Sequence, residues 1–80
     1  EVKQMVRAVA GEIDSALTVH DLRVVRGPDH TNLIFDVVRP YSEDISETQL
    51  MQEFDRRIKE KNPDFFTVIT VDNDFSGQEG

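Results

Sequence analysis

Apolar residues in the first part of the chain recur at three- and four-residue steps: Val2, Met5, Val6, Val9, Ile13 and Leu17. At 3.6 residues per turn that spacing lines up one side of a helix, and it predicts an amphipathic helix over 2–16. Gly11 weakens this helix by about 1 kcal/mol relative to alanine, and fraying is expected near Ser15. From Leu17 the pattern turns β-branched. Val19, Leu22, Val24 and Val25 predict a first strand, closed by the turn cluster Gly27-Pro28-Asp29. Thr31 to Val38 (TNLIFDVV) is almost continuously apolar, the pattern of a strand covered on both faces for part of its length. Pro40 ends it, having no N–H for a ladder. The turn between the two strands is short, so they are expected to pair as an antiparallel hairpin.

Ser42-Glu43-Asp44 and Ser46-Glu47 offer N-capping oxygens for a second helix over 46–61. Its apolar stripe is Leu50, Met51, Phe54 and Ile58, with Gln52, Glu53, Arg56, Lys59 and Glu60 toward water. Asn62-Pro63 stops it, and the Val- and Ile-rich run FFTVITVD predicts a third strand over 65–72. The order helix, strand, strand, helix, strand gives an α+β fold, with two helices packed on one face of a three-stranded sheet. A crossover through the second helix places the last strand parallel to the second, so the sheet is mixed. Val24, Leu33, Phe54, Ile58 and Ile69 are expected in the core. Residues 1–75 read as one domain, and the polar stretch from Asn73 ends in a flexible tail over 76–80.

Composition narrows the partners. Eighty residues make one small domain that hides roughly 60–65% of its unfolded surface, and oligomerisation is a common remedy for so thin a margin. Sixteen acidic residues against nine Lys and Arg give a formal charge of −7, which repels nucleic acid and anionic lipid and concentrates cations. The absence of cysteine excludes disulfides, thiolate metal ligands and a cysteine nucleophile, and fits a reducing cytoplasm. No apolar run approaches the roughly 20 residues of a membrane span, and no signal peptide is visible. The sequence opens at Glu1 directly inside a helical pattern and reads as a piece of a longer protein.

No catalytic constellation is present in the sequence. There is no Gly-x-Ser-x-Gly elbow and no glycine-rich phosphate loop, and His20-Asp21 lacks the further ligands of a metal-dependent phosphohydrolase. The chain is therefore not expected to be an enzyme. Metal ligation has more candidates: His20, His30, Asp29, Asp36, Asp72 and Asp74, several at strand ends or on the hairpin, where side chains from separate elements converge. Each of them alone also reads as a solvated residue. Asp72-Asn73-Asp74-Phe75-Ser76-Gly77 matches the first half of a calcium loop, but its twelfth-position glutamate would fall beyond Gly80 and a strand precedes it. It reads as a polar tail.

The run Val19-His20-Asp21-Leu22-Arg23, followed by Gly27-Pro28 and then a strand, resembles the cytoplasmic domain of the cation diffusion facilitator family. Asn62-Pro63 before a last strand ending in Val71-Asp72 is similar too, and residues 27–38 look like a bacterial branch of these transporters. The resemblance covers about residues 3–75. It implies a metallochaperone-like (ferredoxin-like) α+β fold and a homodimer. It also implies attachment to a transmembrane part absent from this chain, on the cytoplasmic side of the cell membrane. Family members are proton-coupled exporters of divalent metals, and in several of them metal binds between the protomers of this domain. His20 matches a ligand histidine of zinc-binding members, and Asp72 a ligand aspartate. Three further histidine positions fall on Phe35, Thr48 and Thr70, so a binuclear zinc site of that design is not expected here. A weaker, oxygen-rich regulatory site is expected instead, formed by His20 and Asp72 with His30 or Asp36, a composition that tilts toward harder ions such as manganese and leaves zinc and iron open.

Two other readings remain open at this point: a purely structural dimerisation module without a physiological metal, and a small-molecule-sensing α+β domain with a ligand pocket.

Overall fold

The computed structural model describes residues 1–40 and 45–74. Five elements follow in the expected order: α1 (Val2–Ile13), β1 (Thr18–Arg26), β2 (Thr31–Pro40), α2 (Glu47–Lys61) and β3 (Phe65–Asp74). The sheet order is β1-β2-β3, with β1 antiparallel and β3 parallel to β2. The fold is thus α+β with a mixed three-stranded sheet.

Helix α1 stops at Ile13, earlier than the apolar spacing predicts. Asp14 takes an extended backbone (φ −163°, ψ 122°), and its carboxylate accepts a hydrogen bond from the Ala16 N–H at 2.9 Å. That local bond competes with the next helical turn and wins. Leu17, which the spacing assigned to the helix, is buried from the connecting segment instead. Helix α2 starts from a reciprocal cap: the Gln49 N–H donates to Ser46 Oγ at 3.1 Å, and the Ser46 N–H donates to Gln49 Oε1 at 3.0 Å. The Ser42-Glu43-Asp44 cluster proposed for that role lies outside the described residues.

The core lies between the two helices and one face of the sheet. Val6, Val9 and Ala10 of α1 and Leu50, Phe54 and Ile58 of α2 meet Val19, Leu33, Phe35 and Val37. The Phe35 and Phe54 rings pack edge to face, with centroids 5.5 Å apart. Burial along β2 alternates: Leu33, Phe35, Val37 and Arg39 are buried, while Ile34, Asp36 and Val38 between them are half-buried. The continuous apolar run therefore does not mean a strand covered on both faces. The middle position in the sheet half-covers its second side. Ile69 is half-buried, because its strand is an edge.

Val24 is not in the core; it is 37% exposed. A bulge precedes it. His20 pairs with Asp36 and Arg23 with Ile34, so β1 carries one residue more than β2 between these pairs, and Asp21 sits there at φ 57°. Val24 consequently faces the helix side beside Leu33, but at an end of the edge strand that no side chain covers fully. Strand β3 also runs on through Asn73 to Asp74, which pairs with Pro40. Those two residues belong to the sheet and not to the tail. The predicted tail over 76–80 lies outside the described residues.

Candidate functional site

Among the described residues, no helix covers the second face of the sheet. The pairing registers arrange its side chains in rows across the three strands: Val25, Asn32 and Phe66; Arg23, Ile34 and Val68; His20, Asp36 and Thr70; Thr18, Val38 and Asp72; then Pro40 and Asp74. One end of this open face is apolar. Val25, Phe66 and Val68 are 49%, 43% and 53% exposed, an unusual state for side chains of that size in a small domain. The other end collects the candidate metal ligands.

His20 stands directly across from Asp36 on the neighbouring strand. Its Nε2 lies 3.1 Å from Thr18 Oγ1, and that hydroxyl reaches the Val38 carbonyl at 3.5 Å. Asp72 shares the row of Thr18 and Val38. With strands about 4.8 Å apart and about 3.3 Å per residue, its Cα stands about 12 Å diagonally from that of His20. Asp36 lies on the strand between them.

His30 goes elsewhere. It sits in the hairpin turn, its ring stacked 4.4 Å from that of Phe66, and Lys59 Nζ lies 4.6 Å from the same Phe66 ring. The five residues from Thr31 to Asp36 put His30 about 17 Å along the sheet from His20, too far to share an ion within one copy. Asp29 is an exposed residue of the same turn. Of the calcium-like run, Asp72, Asn73 and Asp74 lie in β3, where alternation sends Asn73 to the opposite face from the two aspartates. Its remaining residues, Phe75 to Gly77, lie outside the described residues.

The structure also relocates a position carried over from the resemblance. Phe35 points into the core, 1% exposed, on the opposite face from His20. The residue that joins His20 on the open face is its neighbour Asp36, with Thr70 continuing the row. Thr48 is exposed on the first turn of α2 and belongs to neither group.

Among the described residues, no group of three or more His, Asp or Glu side chains is gathered closely enough to hold a metal ion. One copy supplies an imidazole with a carboxylate opposite and a second carboxylate on the diagonal. That donor set is compatible with a zinc- or manganese-type ion, which accepts imidazole nitrogen and carboxylate oxygen together, but is incomplete as a coordination sphere.

Arg39, which the sequence reading passed over, organises the end of the sheet beside this face. It is buried, its Nε donates to Asn73 Oδ1 at 2.6 Å and its Nη1 to the Ile45 carbonyl at 2.5 Å. Asn73 Nδ2 in turn donates to Glu47 Oε2 at 3.2 Å. The chain of bonds fixes β3 next to Asp72 against β2 and the start of α2. The signal in the sequence was its place in the alternation Leu33, Phe35, Val37, Arg39, which points it inward.

No family model matches the sequence, and no curated protein sequence does. Solved structures do match. A structure of CzrB, described as a zinc transporter, is 25% identical, with a TM-score of 0.66 over 89% of this chain and 90% of that one. A structure of CzrB in its Zn form is 23% identical, with a TM-score of 0.64 over 96% of this chain and 88% of that one, and shows the shared fold. No helix among the described residues is long and apolar enough to cross a membrane. The run around His20-Asp21-Leu22-Arg23 and the likeness to CzrB point the same way, and the chain resembles a domain of the cation diffusion facilitators.

Proposed function

We propose that residues 1–75 form the cytoplasmic regulatory and dimerisation domain of a proton-coupled divalent-metal exporter, joined to a membrane part that this sequence does not include. Two copies meet through the open sheet face, and a divalent cation bound at its His20, Asp36 and Asp72 end draws them together. The observation that carries this reading is the composition of that one face: exposed Val25, Phe66 and Val68 at one end, and an incomplete ligand set at the other. A second copy covers the apolar residues and contributes the missing donors by the same contact. Metal occupancy is then coupled to the distance between protomers, which makes binding a conformational signal. CzrB, described as a zinc transporter, supports the metal assignment. The role is non-catalytic.

The test combines calorimetric titration of Zn²⁺, Mn²⁺, Fe²⁺ and Mg²⁺ with sedimentation. Zinc or manganese is expected to bind and to raise the dimer fraction, and replacing both His20 and Asp72 by Ala should abolish both effects while leaving the metal-free melting temperature unchanged. If the double variant still gains the same stabilisation from metal, His20 and Asp72 are not the ligands, and Asp36 is the next residue to change. A dimer that forms equally well with and without every metal favours the purely structural reading.

A further inference from the structure

On the other side of β1 lies a hollow of about 710 Å³, between the first half of α1 and the free edge of the strand. Its size is that of a small-molecule site. Val2, Val19, Leu22 and Val24 supply apolar wall, and Lys3, Arg7 and Arg26 supply positive charge around it. Val24 is a core-facing residue left 37% exposed at the end of the edge strand, so the hollow is where an apolar surface remains incompletely covered. A second hollow of about 390 Å³ continues toward Leu17 and shares Arg7, Val19 and His20 with the first. Arg7 therefore stands where the two join.

The cations here differ from the rest. Of nine lysines and arginines in the sequence, Arg56, Arg57, Lys59 and Lys61 are ion-paired with Glu53, Glu60, Glu12 or Asp55, and Arg39 is held by Asn73 and the Ile45 carbonyl. Lys3, Arg7, Arg23 and Arg26 make no ion pair with any described residue, and three of them line the hollow. Two acids line it as well. Glu1, which accepts the Gln4 N–H at 2.8 Å, and Asp21 are the nearby counter-charges, so three cations face two carboxylates. At physiological ionic strength charge is screened over about 8 Å, so this local excess of cations is not cancelled by the acids elsewhere in the chain that set the overall charge of −7.

We propose that this hollow binds an organic anion consisting of a phosphate or carboxylate head on an apolar body. The head pairs with Arg7 and Arg26, whose guanidinium forks match two-oxygen anions, with Lys3 as an additional point charge. The body lies on Val2, Leu22 and Val24. The proposal does not depend on the exporter reading, because none of these residues is a proposed metal ligand. Either a membrane lipid or a soluble metabolite has this chemistry.

Octyl phosphate, kept below its micelle concentration, is the probe, followed by amide NMR on residues 1–80. Shifts are expected at Lys3, Arg7, Val19, Leu22, Val24 and Arg26 and to saturate. Octyl glucoside, with the same chain and a neutral head, should bind at least tenfold more weakly, as should inorganic phosphate, which has no chain. The double variant Arg7→Glu, Arg26→Glu should lose at least tenfold in affinity for octyl phosphate. Both side chains are exposed, so its melting temperature should be unchanged; if it does not fold, Arg7→Gln alone tests the same contact. Vesicles of phosphatidylglycerol and of phosphatidylcholine separate the sources. Sedimentation with the former only, lost in the double variant, identifies a lipid; binding of octyl phosphate without sedimentation identifies a soluble ligand. Equal binding of octyl glucoside, shifts centred on another surface, unchanged affinity in the arginine variants, or no saturable binding of octyl phosphate overturns the proposal.

Discussion

At the scale of single residues, the core rests on a few large side chains. Phe54 is fully buried from α2 against Phe35 of the central strand, so Phe54→Ala removes most of a ring and its edge-to-face contact. The loss should be about 3–5 kcal/mol in urea unfolding, a large part of the stability of so small a domain. A cost below about 1 kcal/mol would mean that this face of α2 is not the packed one. Arg39 is a different kind of core residue. Arg39→Met keeps the apolar stem but leaves Asn73 Oδ1 and the Ile45 carbonyl without their charged donor, and should cost about 2–3 kcal/mol. Arg39→Lys should rescue little, because an ammonium does not reproduce the fork; full rescue by lysine would reduce Arg39 to a packing role. Leu33, Phe54 and Ile58 were legible in the sequence because each repeats with the period of its element. Val24 was not: it faces the helix side, but the apolar pattern does not tell that β1 is an edge strand or how far the helices reach over its end. The site shows the same limit. His20 and Asp72 were chosen by residue type and resemblance, but Asp36 as the partner across from His20 follows only from the strand register.

Among the elements, α2 does the most connecting and is the most exposed to pH. It spans the parallel crossover between β2 and β3, its start is capped by Ser46, and Arg57 and Lys61 reach Glu12 of α1 at 3.2 and 3.9 Å. Removing the cap with Ser46→Ala should cost about 1 kcal/mol. Glu53 accepts from Arg56 at 2.8 Å and Arg57 at 3.0 Å, and these bonds, Arg56 first, hold its carboxyl below the ordinary value of 4.5. A folded-state pKa below the unfolded one stabilises the fold at pH values above 4.5, and that contribution disappears as pH falls through the lower, folded value. The melting temperature should therefore decline more steeply below pH 4.5 in the parent than in Glu53→Gln, measured in matched buffers. Parallel profiles would show that the pairs contribute nothing, the common result for solvated ion pairs. The element order, the hairpin and the second helix could be read from the pattern of apolar residues. Helix α1 ended early because the Asp14 side chain captured a backbone N–H, a contest between two local bonds that the hydrophobic period does not register.

For the whole molecule, charge and shape work against each other. The open sheet face offers Val25, Phe66 and Val68 to a second copy, while each copy carries a formal charge of −7, and two copies repel. His20, Asp36 and Asp72 share that face, so part of the repulsion acts at the contact itself. Simple salt should then strengthen self-association by screening, the reverse of the behaviour of an interface held by ion pairs. A ligated divalent ion should do more than screen. It neutralises the carboxylates where they meet and supplies bonds from both copies, so Zn²⁺ or Mn²⁺ should lower the dimer dissociation constant well beyond Mg²⁺ at the same ionic strength. Mg²⁺ serves as the reference because it holds its water and disfavours imidazole. Sedimentation equilibrium across NaCl concentrations, then with each metal at constant ionic strength, separates the two contributions, and the His20→Ala, Asp72→Ala variant should keep the response to NaCl while losing the difference between Zn²⁺ and Mg²⁺. Association that weakens as NaCl rises would rule out the open face as described. A chain that stays monomeric at millimolar concentration with every metal would rule out the dimer.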